Sequence, residues 1–243
     1  MPELPIVSGR APHLPPLKRV GHKGADLVAP GNTLASFEAA LEHGVDMIEF
    51  DVLRLRDGRL VLAHDCRDAE RRDLVTLERG LEHFAGEAYA GVELDVDLKL
   101  PGYEREVLDA LSAHGLGKRS LISTQYPQSL DAIGELAPGQ RRGWSVPRVR
   151  SDPTRTPWKK PLALVAAAFM RRRLPGQAER MLRTGRCEAL MTHWRLMSGP
   201  LVQKVHAAGG QVYVWTVDDP DHITRLSALG VDGVISNDPR LFD

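Results

Sequence analysis

VGHKGADLVAPGNTLASFEAALEHGVDMIEFDVLRLRDGRLVLAHD, residues 20–65, is the stretch that decides the fold. In MIEFDVL the residues alternate: Ile48, Phe50 and Val52 fall on one side of a strand, and Met47, Glu49 and Asp51 on the other. Two carboxylates therefore point the same way, one strand step apart. After Asp51 come two alternating runs around Asp57-Gly58, a strong short-range hairpin signal. With those two residues as the turn, positions pair when their numbers sum to 115, and His64 returns opposite Asp51. His22 stands where a first apolar run, Lys18 to Gly21, gives way to a loop. A parallel neighbouring strand puts it at the same rim.

Two imidazoles and two carboxylates at one strand end suit metal-assisted acid–base chemistry. Taken singly, a histidine is an ordinary core or surface residue and Glu-x-Asp an ordinary solvated face; the joint pattern is what carries information. The same residues resemble the glycerophosphodiester phosphodiesterase family. Its signature is similar to His-Arg-Gly, then Pro-Glu-Asn-Thr, a helix, Glu-x-Asp, an Asp-Gly turn and a closing His-Asp. His22, Gly24, Pro30, Asn32, Thr33, Glu49, Asp51, Asp57, Gly58, His64 and Asp65 match it in register. Lys23 stands where the family has arginine, and Gly31 where it has glutamate.

Outward from this stretch the chain alternates. Thr33 to His43 reads as a helix with Asn32 or Thr33 as cap and Gly44 as stop, and its apolar stripe of Leu34, Phe37, Ala40 and Leu41 faces a sheet. Strands are expected near 19, 49, 61, 95, 121, 143, 190, 214 and 234, with helices between most of them. The strand near 61 belongs to the hairpin, so eight remain. That pattern predicts a (β/α)8 TIM barrel with a β-hairpin after strand two, a reduced insertion over 66–90, and a last helix that is minimal or absent. At 243 residues, with 42% hydrophobic and 26% charged content, one barrel domain over 18–243 is expected behind an N-terminal arm over 1–17.

Thirty-two basic residues balance 32 acidic ones, so no global field favours nucleic acid. The first 19 residues hold five prolines and no apolar h-region, and two cysteines, Cys66 and Cys187, cannot build a disulfide framework. Together these point to the cytoplasm. Oligomeric state cannot be read from the sequence.

In GVELDVDLKLPG, Glu93, Asp95, Asp97 and Lys99 share a face opposite Val92, Val96 and the leucines. The family's third strand ends in a motif similar to Glu-Ile-Lys, on which Asp97-Leu98-Lys99 falls. The resemblance thus implies Asp97 as a third metal carboxylate beside Glu49 and Asp51, with Asp95 able to share or usurp that role and Lys99 as a cation facing phosphate. Residues 211–239 resemble the family's Val-Trp-Thr-Val-Asn and its closing Thr-Asp-x-Pro. Trp215 falls at the rim there, where it suits a glycerol carbon skeleton, although core packing is the commoner fate of such a residue. By contrast, STQY at 123–126 replaces the family's usual Ser-Phe-Asp.

The resemblance implies metal-dependent hydrolysis of glycerophosphodiesters to glycerol 3-phosphate and an alcohol. His22 and His64 exchange the protons, Lys23 holds a phosphate oxygen, and Glu49, Asp51 and Asp97 bind the ion. Oxygen-only ligands suit Mg²⁺ or Ca²⁺. Which histidine is acid and which is base stays open. One alternative is a barrel acting on lysophospholipid or sphingolipid head groups; another is a non-catalytic phosphodiester-binding barrel, motivated by Lys23 and Gly31. The first gains interest from residues 147–187, which match no family motif. Pro161 can open a helix there, Leu162, Val165, Ala166 and Phe169 recur on one face, and Arg171, Arg172 and Arg173 follow, a pattern that suits peripheral contact with lipid. The competing expectation is that this face packs on the barrel.

Overall fold

The computed structural model describes residues 15–71, 73–148 and 160–242. Nine strands form one sheet: β1 (Lys18–Gly21), β2 (Met47–Arg54), β3 (Leu60–Leu62), β4 (Glu93–Leu98), β5 (Ser120–Thr124), β6 (Arg141–Val146), β7 (Ala189–His193), β8 (Gln211–Trp215) and β9 (Gly233–Ser236). Every pairing is parallel except β2 with β3, and β1 bonds to both β9 and β2, which closes eight strands into a barrel and leaves β3 outside it. The helices are α1 (Leu34–Glu42), α2 (Cys66–Ala69), α3 (Leu77–Phe84), α4 (Glu104–Ala113), α5 (Pro127–Leu136), α6 (Lys160–Arg183), α7 (Gly199–Ala207) and α8 (Pro220–Leu229). Among the described residues β9 is followed by a 3₁₀ turn, Pro239–Phe242, in the place where a minimal or absent last helix was expected.

Periodicity explains the layers. Ile48, Phe50, Val52, Leu94 and Val96 face outward onto α1, α3 and α4, where Phe37, Phe50 and Phe84 meet with ring centroids 4.7–6.0 Å apart. Alternate residues point inward, and Val20, Met47, Leu121, Ala189, Met191, Tyr213 and Ile235 fill the barrel's middle. Below them Glu93 contacts Lys18 and accepts from Arg141 at 2.7 Å, which seals the floor with paired charges. The upper end of the barrel is where the polar inward residues gather. Helix α1 begins as expected: the Thr33 hydroxyl accepts from Ser36 N at 3.2 Å while the Ser36 hydroxyl accepts from Thr33 N at 3.3 Å. Such a reciprocal cap stabilises a helix start by about 1 kcal/mol.

The hairpin differs from expectation by one residue. Observed partners are Val52 with Leu62, Leu53 with Val61 and Arg54 with Leu60. Leu55 N donates to Arg59 O, Gly58 N donates to Leu55 O, and Gly58 has φ +89°. The connection is thus a three-residue loop, Arg56-Asp57-Gly58, whose left-handed third position only glycine takes without strain. The register sum becomes 114, and the ladder stops at Leu62 before His64 is reached.

The arm expected over 1–17 lies outside the described residues except for its last three. In α6, Leu174, Ala178, Met181 and Leu182 are buried in the cluster that also holds Leu201, Val202 and Val205 of α7. The C-terminal half of this helix therefore packs on the barrel. Phe169, nearer its start, is 56% exposed, with the Arg173 guanidinium 4.2 Å from its ring centroid; the side chains of Leu162 and Val165 lie outside the described residues. Among the described residues no helix is long and apolar enough to cross a membrane.

Candidate active site

Parallel pairing of β2 with β4 sets Glu49 beside Asp95 and Asp51 beside Asp97, so four inward carboxylates stand on two adjoining strands. Oxygens of Glu49, Asp51 and Asp97 lie within 4.8 Å of one another, and all three residues are buried. The Lys99 ammonium contacts both Asp51 and Asp97. Desolvation opposes its charge, but the Asp51, Asp97 and Glu49 carboxylates outweigh that and hold it well above its ordinary value. Burial and the neighbouring Asp51 charge push Glu49 up, while Asp51, which the Lys99, His64 and Lys23 charges favour against its desolvation, is held low. Burial raises Asp97 as well. Among the described residues Asp97 Oδ1 has no hydrogen-bond partner. A compact group of oxygen donors with an orphaned oxygen, in which two of the three carboxyls are hindered from ionising, fits a divalent cation. Asp95 lies one pleat deeper, and burial followed by the Asp97 charge pushes it up to about 7.

His22 follows directly on β1, and its Nε2 is 3.8 Å from Glu49 Oε2. Burial and the adjacent Lys23 charge lower it to about 4, which leaves the imidazole neutral at pH 7. His64 reaches the same cavity by another route than strand pairing. Past Leu62 the chain bends into α2, whose cap Asp65 accepts from Arg67 N and Asp68 N while Asp68 accepts from His64 N at 3.1 Å. His22, Glu49, His64, Asp97 and Lys99 line one side of the cavity; Ser123, Gln125, Ser145, Met191, Trp215 and Thr216 line the other. Trp215 is half-buried at this rim and meets His193 edge-on, with centroids 5.3 Å apart.

Lys23 does more with its backbone than its residue type suggests. At φ +51° it turns its N–H onto Glu49 Oε2 at 2.8 Å, and its carbonyl accepts from Asn32 N and the Ser36 hydroxyl. Its ammonium donates to Asp26 Oδ2 at 2.9 Å, and Asp26 Oδ1 accepts from Gly31 N at 2.9 Å. A Cβ at residue 31 would lie 2.4 Å from Asp26 Oδ1. The Asp26 carboxylate that holds Lys23 thus leaves no room for a side chain at residue 31.

Sequence reading gave four residues that shape this site no part in its chemistry. Asn32 donates to Asp51 Oδ2 at 2.8 Å and accepts from Asp51 N at 3.0 Å. Asp26 holds Lys23, Asn237 meets His22 Nδ1 at 2.5 Å, and Asp218 holds Asn237. Asn32 lay within the matched motif, which was the available signal; the other three depend on loops meeting in space.

The model of the glycerophosphoryl diester phosphodiesterase family matches residues 22–82 and 70–241. The chain belongs to that family. A glycerophosphodiester phosphodiesterase of Caldanaerobacter subterraneus is 26% identical over 254 residues, covering 90% of this chain and 93% of that protein. One of Bacillus subtilis is 25% identical, covering 92% and 84%. Among solved structures, a glycerophosphodiester phosphodiesterase from Parabacteroides distasonis superposes with a TM-score of 0.70 at 19% identity, covering 92% of this chain and 94% of that one. An Oleispira antarctica phosphodiesterase, solved with its product sn-glycerol-3-phosphate, gives 0.69 at 24% identity, covering 93% and 94%. The fold and family expected from residues 20–65 are therefore observed.

Proposed function

We propose that this chain, a phosphoric diester hydrolase by family, hydrolyses glycerophosphodiesters to glycerol 3-phosphate and an alcohol, with Glu49, Asp51 and Asp97 holding a divalent cation and His22 and His64 moving the protons. The observation that carries the reading is the buried carboxylate cluster set between two imidazoles in one cavity. A divalent ion there, Mg²⁺ or Ca²⁺, supplies charge neutralisation for a phosphodiester and favours ionisation of a nearby hydroxyl. The residues do the rest. One histidine accepts the proton of the attacking hydroxyl, either glycerol's own adjacent group or water, and the other donates to the departing alkoxide. Lys23, tethered by one of its three ammonium hydrogens to Asp26, keeps two for phosphate oxygens. Lys99, whose ammonium contacts Asp51 and Asp97 in the same cavity, is a second cation that would face phosphate. Trp215 offers a flat apolar face to the glycerol carbons.

Glycerol 3-phosphate release from glycerophosphocholine, glycerophosphoethanolamine and glycerophosphoglycerol, with Mg²⁺, Ca²⁺ or chelator, tests this reading and names the alcohol. Absence of turnover with every substrate and ion would leave the non-catalytic, phosphodiester-binding alternative. The exposed Phe169 favours a second reading in which lysolipids are substrates and the start of α6 touches anionic lipid. Turnover of lysophosphatidylcholine above that of glycerophosphocholine would support it. The two unpaired cysteines suit the cytoplasm.

A further inference from the structure

The two walls of the cavity differ in charge. Glu49, Asp95, Asp97 and Lys99 line it from the β2 and β4 side, whereas the lining residues from the β5 to β8 side, among them Ser123, Gln125 and Ser145, carry no charge. STQY at 123–126, which stands in place of a motif with an aspartate, is part of that uncharged wall. At its rim are two cations. Arg148, just past β6, has its guanidinium carbon 4.3 Å from the Tyr126 ring centroid, and Arg195, just past β7, lies 4.4 Å from that of Trp194. Val146 pairs with Thr192, so the two arginines leave neighbouring strands at nearly the same height. Both are exposed, and among the described residues neither guanidinium has an ion-pair or hydrogen-bond partner. Arg148 is rooted at most about 10 Å of chain from Ser145, which lines the cavity. Arg195 is joined to it through rings, since His193 meets both Trp194 and the cavity-lining Trp215. An aromatic face holds a guanidinium flat and leaves its N–H groups, which lie in the plane, open to an oxyanion. The same stacking turns these rings away from a quaternary ammonium, because each already carries a cation that would repel it.

We propose that Arg148 and Arg195 form an anion subsite for the alcohol half of the substrate, and that this chain selects glycerophosphodiesters whose alcohol bears a carboxylate or a second phosphate. The inference rests on the hydrolysis reading above and deepens it by naming the substrate class. The assignment to the alcohol follows from charge. The scissile phosphate is served by the ion, Lys23 and Lys99, and the glycerol half is neutral, so any further negative charge belongs to the alcohol. The arginines hold that charge equally before and during the reaction, so they act on KM and leave kcat alone. Being exposed, they also act in a salt-sensitive way.

The test compares glycerophosphodiesters that differ only in the charge of the alcohol. Glycerophosphoglycerol is neutral there, glycerophosphoglycerate ends in a carboxylate, bis(glycerophospho)glycerol carries a second phosphodiester, and glycerophosphocholine is cationic. Kinetics with divalent ion give KM and kcat, and calorimetry in chelator gives Kd without turnover. At low salt the two anionic compounds should have KM and Kd about tenfold below those of glycerophosphoglycerol, with kcat within about twofold, and the preference should shrink at high salt. In Arg148→Gln/Arg195→Gln the three should agree within about twofold while glycerophosphoglycerol keeps its own constants. Arg148→Glu/Arg195→Glu should reverse the order and favour glycerophosphocholine. The carboxylate and the second phosphate are told apart by which one loses more affinity in the glutamine variant. A preparation that hydrolyses none of these compounds would sink the hydrolysis reading, and its Kd values would still decide the anion subsite. Equal Kd for neutral and anionic compounds in the unaltered protein overturns the proposal, as does a preference that survives in Arg148→Gln/Arg195→Gln. Variants that lose sedimentation with anionic vesicles but keep the substrate preference overturn it too, and assign the arginines to a lipid surface.

Discussion

Lys99 in place of an ion makes a sharp thermodynamic prediction. Its side chain is 16% exposed, and its ammonium touches two buried carboxylates, Asp51 and Asp97. Lys99→Met keeps the length and removes the charge. Taking one partner from a buried ion pair costs ~3–5 kcal/mol, because the remaining charge is stranded. At roughly 2–4 °C per kcal/mol for a chain of this size, Tm in chelator should fall by ~6–20 °C. A divalent ion that takes over the same carboxylates at 100 times its Kd contributes ~2.7 kcal/mol, so Mg²⁺ or Ca²⁺ should restore ~5–11 °C. The variant should also bind the ion more tightly than the unaltered protein, since no ammonium has to be displaced. Thermal melts followed by circular dichroism, with chelator and across an ion titration, measure all of this. A Lys99→Met Tm within about 2 °C of the unaltered protein in chelator would refute the reasoning, as would an ion-induced rise that survives in Glu49→Gln/Asp51→Asn/Asp97→Asn.

Other outcomes follow from the same geometry. His22→Ala and His64→Ala should each lower kcat by ~10²–10⁴ while circular dichroism stays native; near-normal kcat at saturating ion would remove that histidine from the reaction. Asp26→Ala, Lys23→Ala and Gly31→Ala should each raise KM several-fold, since the first two break one ion pair and the third drives a Cβ into Asp26, and a double variant of Asp26 and Lys23 should be no worse than Lys23→Ala alone. His22 is lowered from 6.5 to about 4 on folding, so the unfolded chain takes up the extra proton between those values. Stability should therefore fall as pH drops from 6.5 to 4, by about 3 kcal/mol from this group, and urea melts of His22→Gln should lack that share. Charge reversal at Arg171, Arg172 and Arg173 should weaken sedimentation with anionic vesicles without altering turnover of soluble glycerophosphodiesters; an unaltered protein that never sediments would count against lipid contact.

Residues 20–65 made the barrel legible because two signals of different period agree there. A strand alternation presents Glu49 and Asp51 together, and a capped amphipathic helix lies between it and the first strand. The same alternation in GVELDVDL put Asp97 beside Asp51 once the strands paired in parallel. What failed was a register that hung on one residue of turn chemistry: Asp-Gly also ends a three-residue loop, and the count from the turn then misplaces His64. His64 still reaches the cavity, through a helix cap that spacing does not reveal. The partners of His22 and Lys23 were illegible for a different reason. Asn237 is 215 positions from His22, and only barrel closure between β1 and β9 makes them neighbours. The packing of Gly31 against the Asp26 carboxylate was illegible because Asp26 lies in a loop without periodicity.

The most direct test of the account is the dependence of glycerol 3-phosphate release on divalent ion, measured with the unaltered protein and with Glu49→Gln/Asp51→Asn/Asp97→Asn on the same glycerophosphodiester. The account predicts turnover that chelator abolishes, that Mg²⁺ or Ca²⁺ restores, and that the triple variant lacks at every ion concentration while its barrel remains folded. Turnover that persists in chelator, or that the folded triple variant retains, would contradict it.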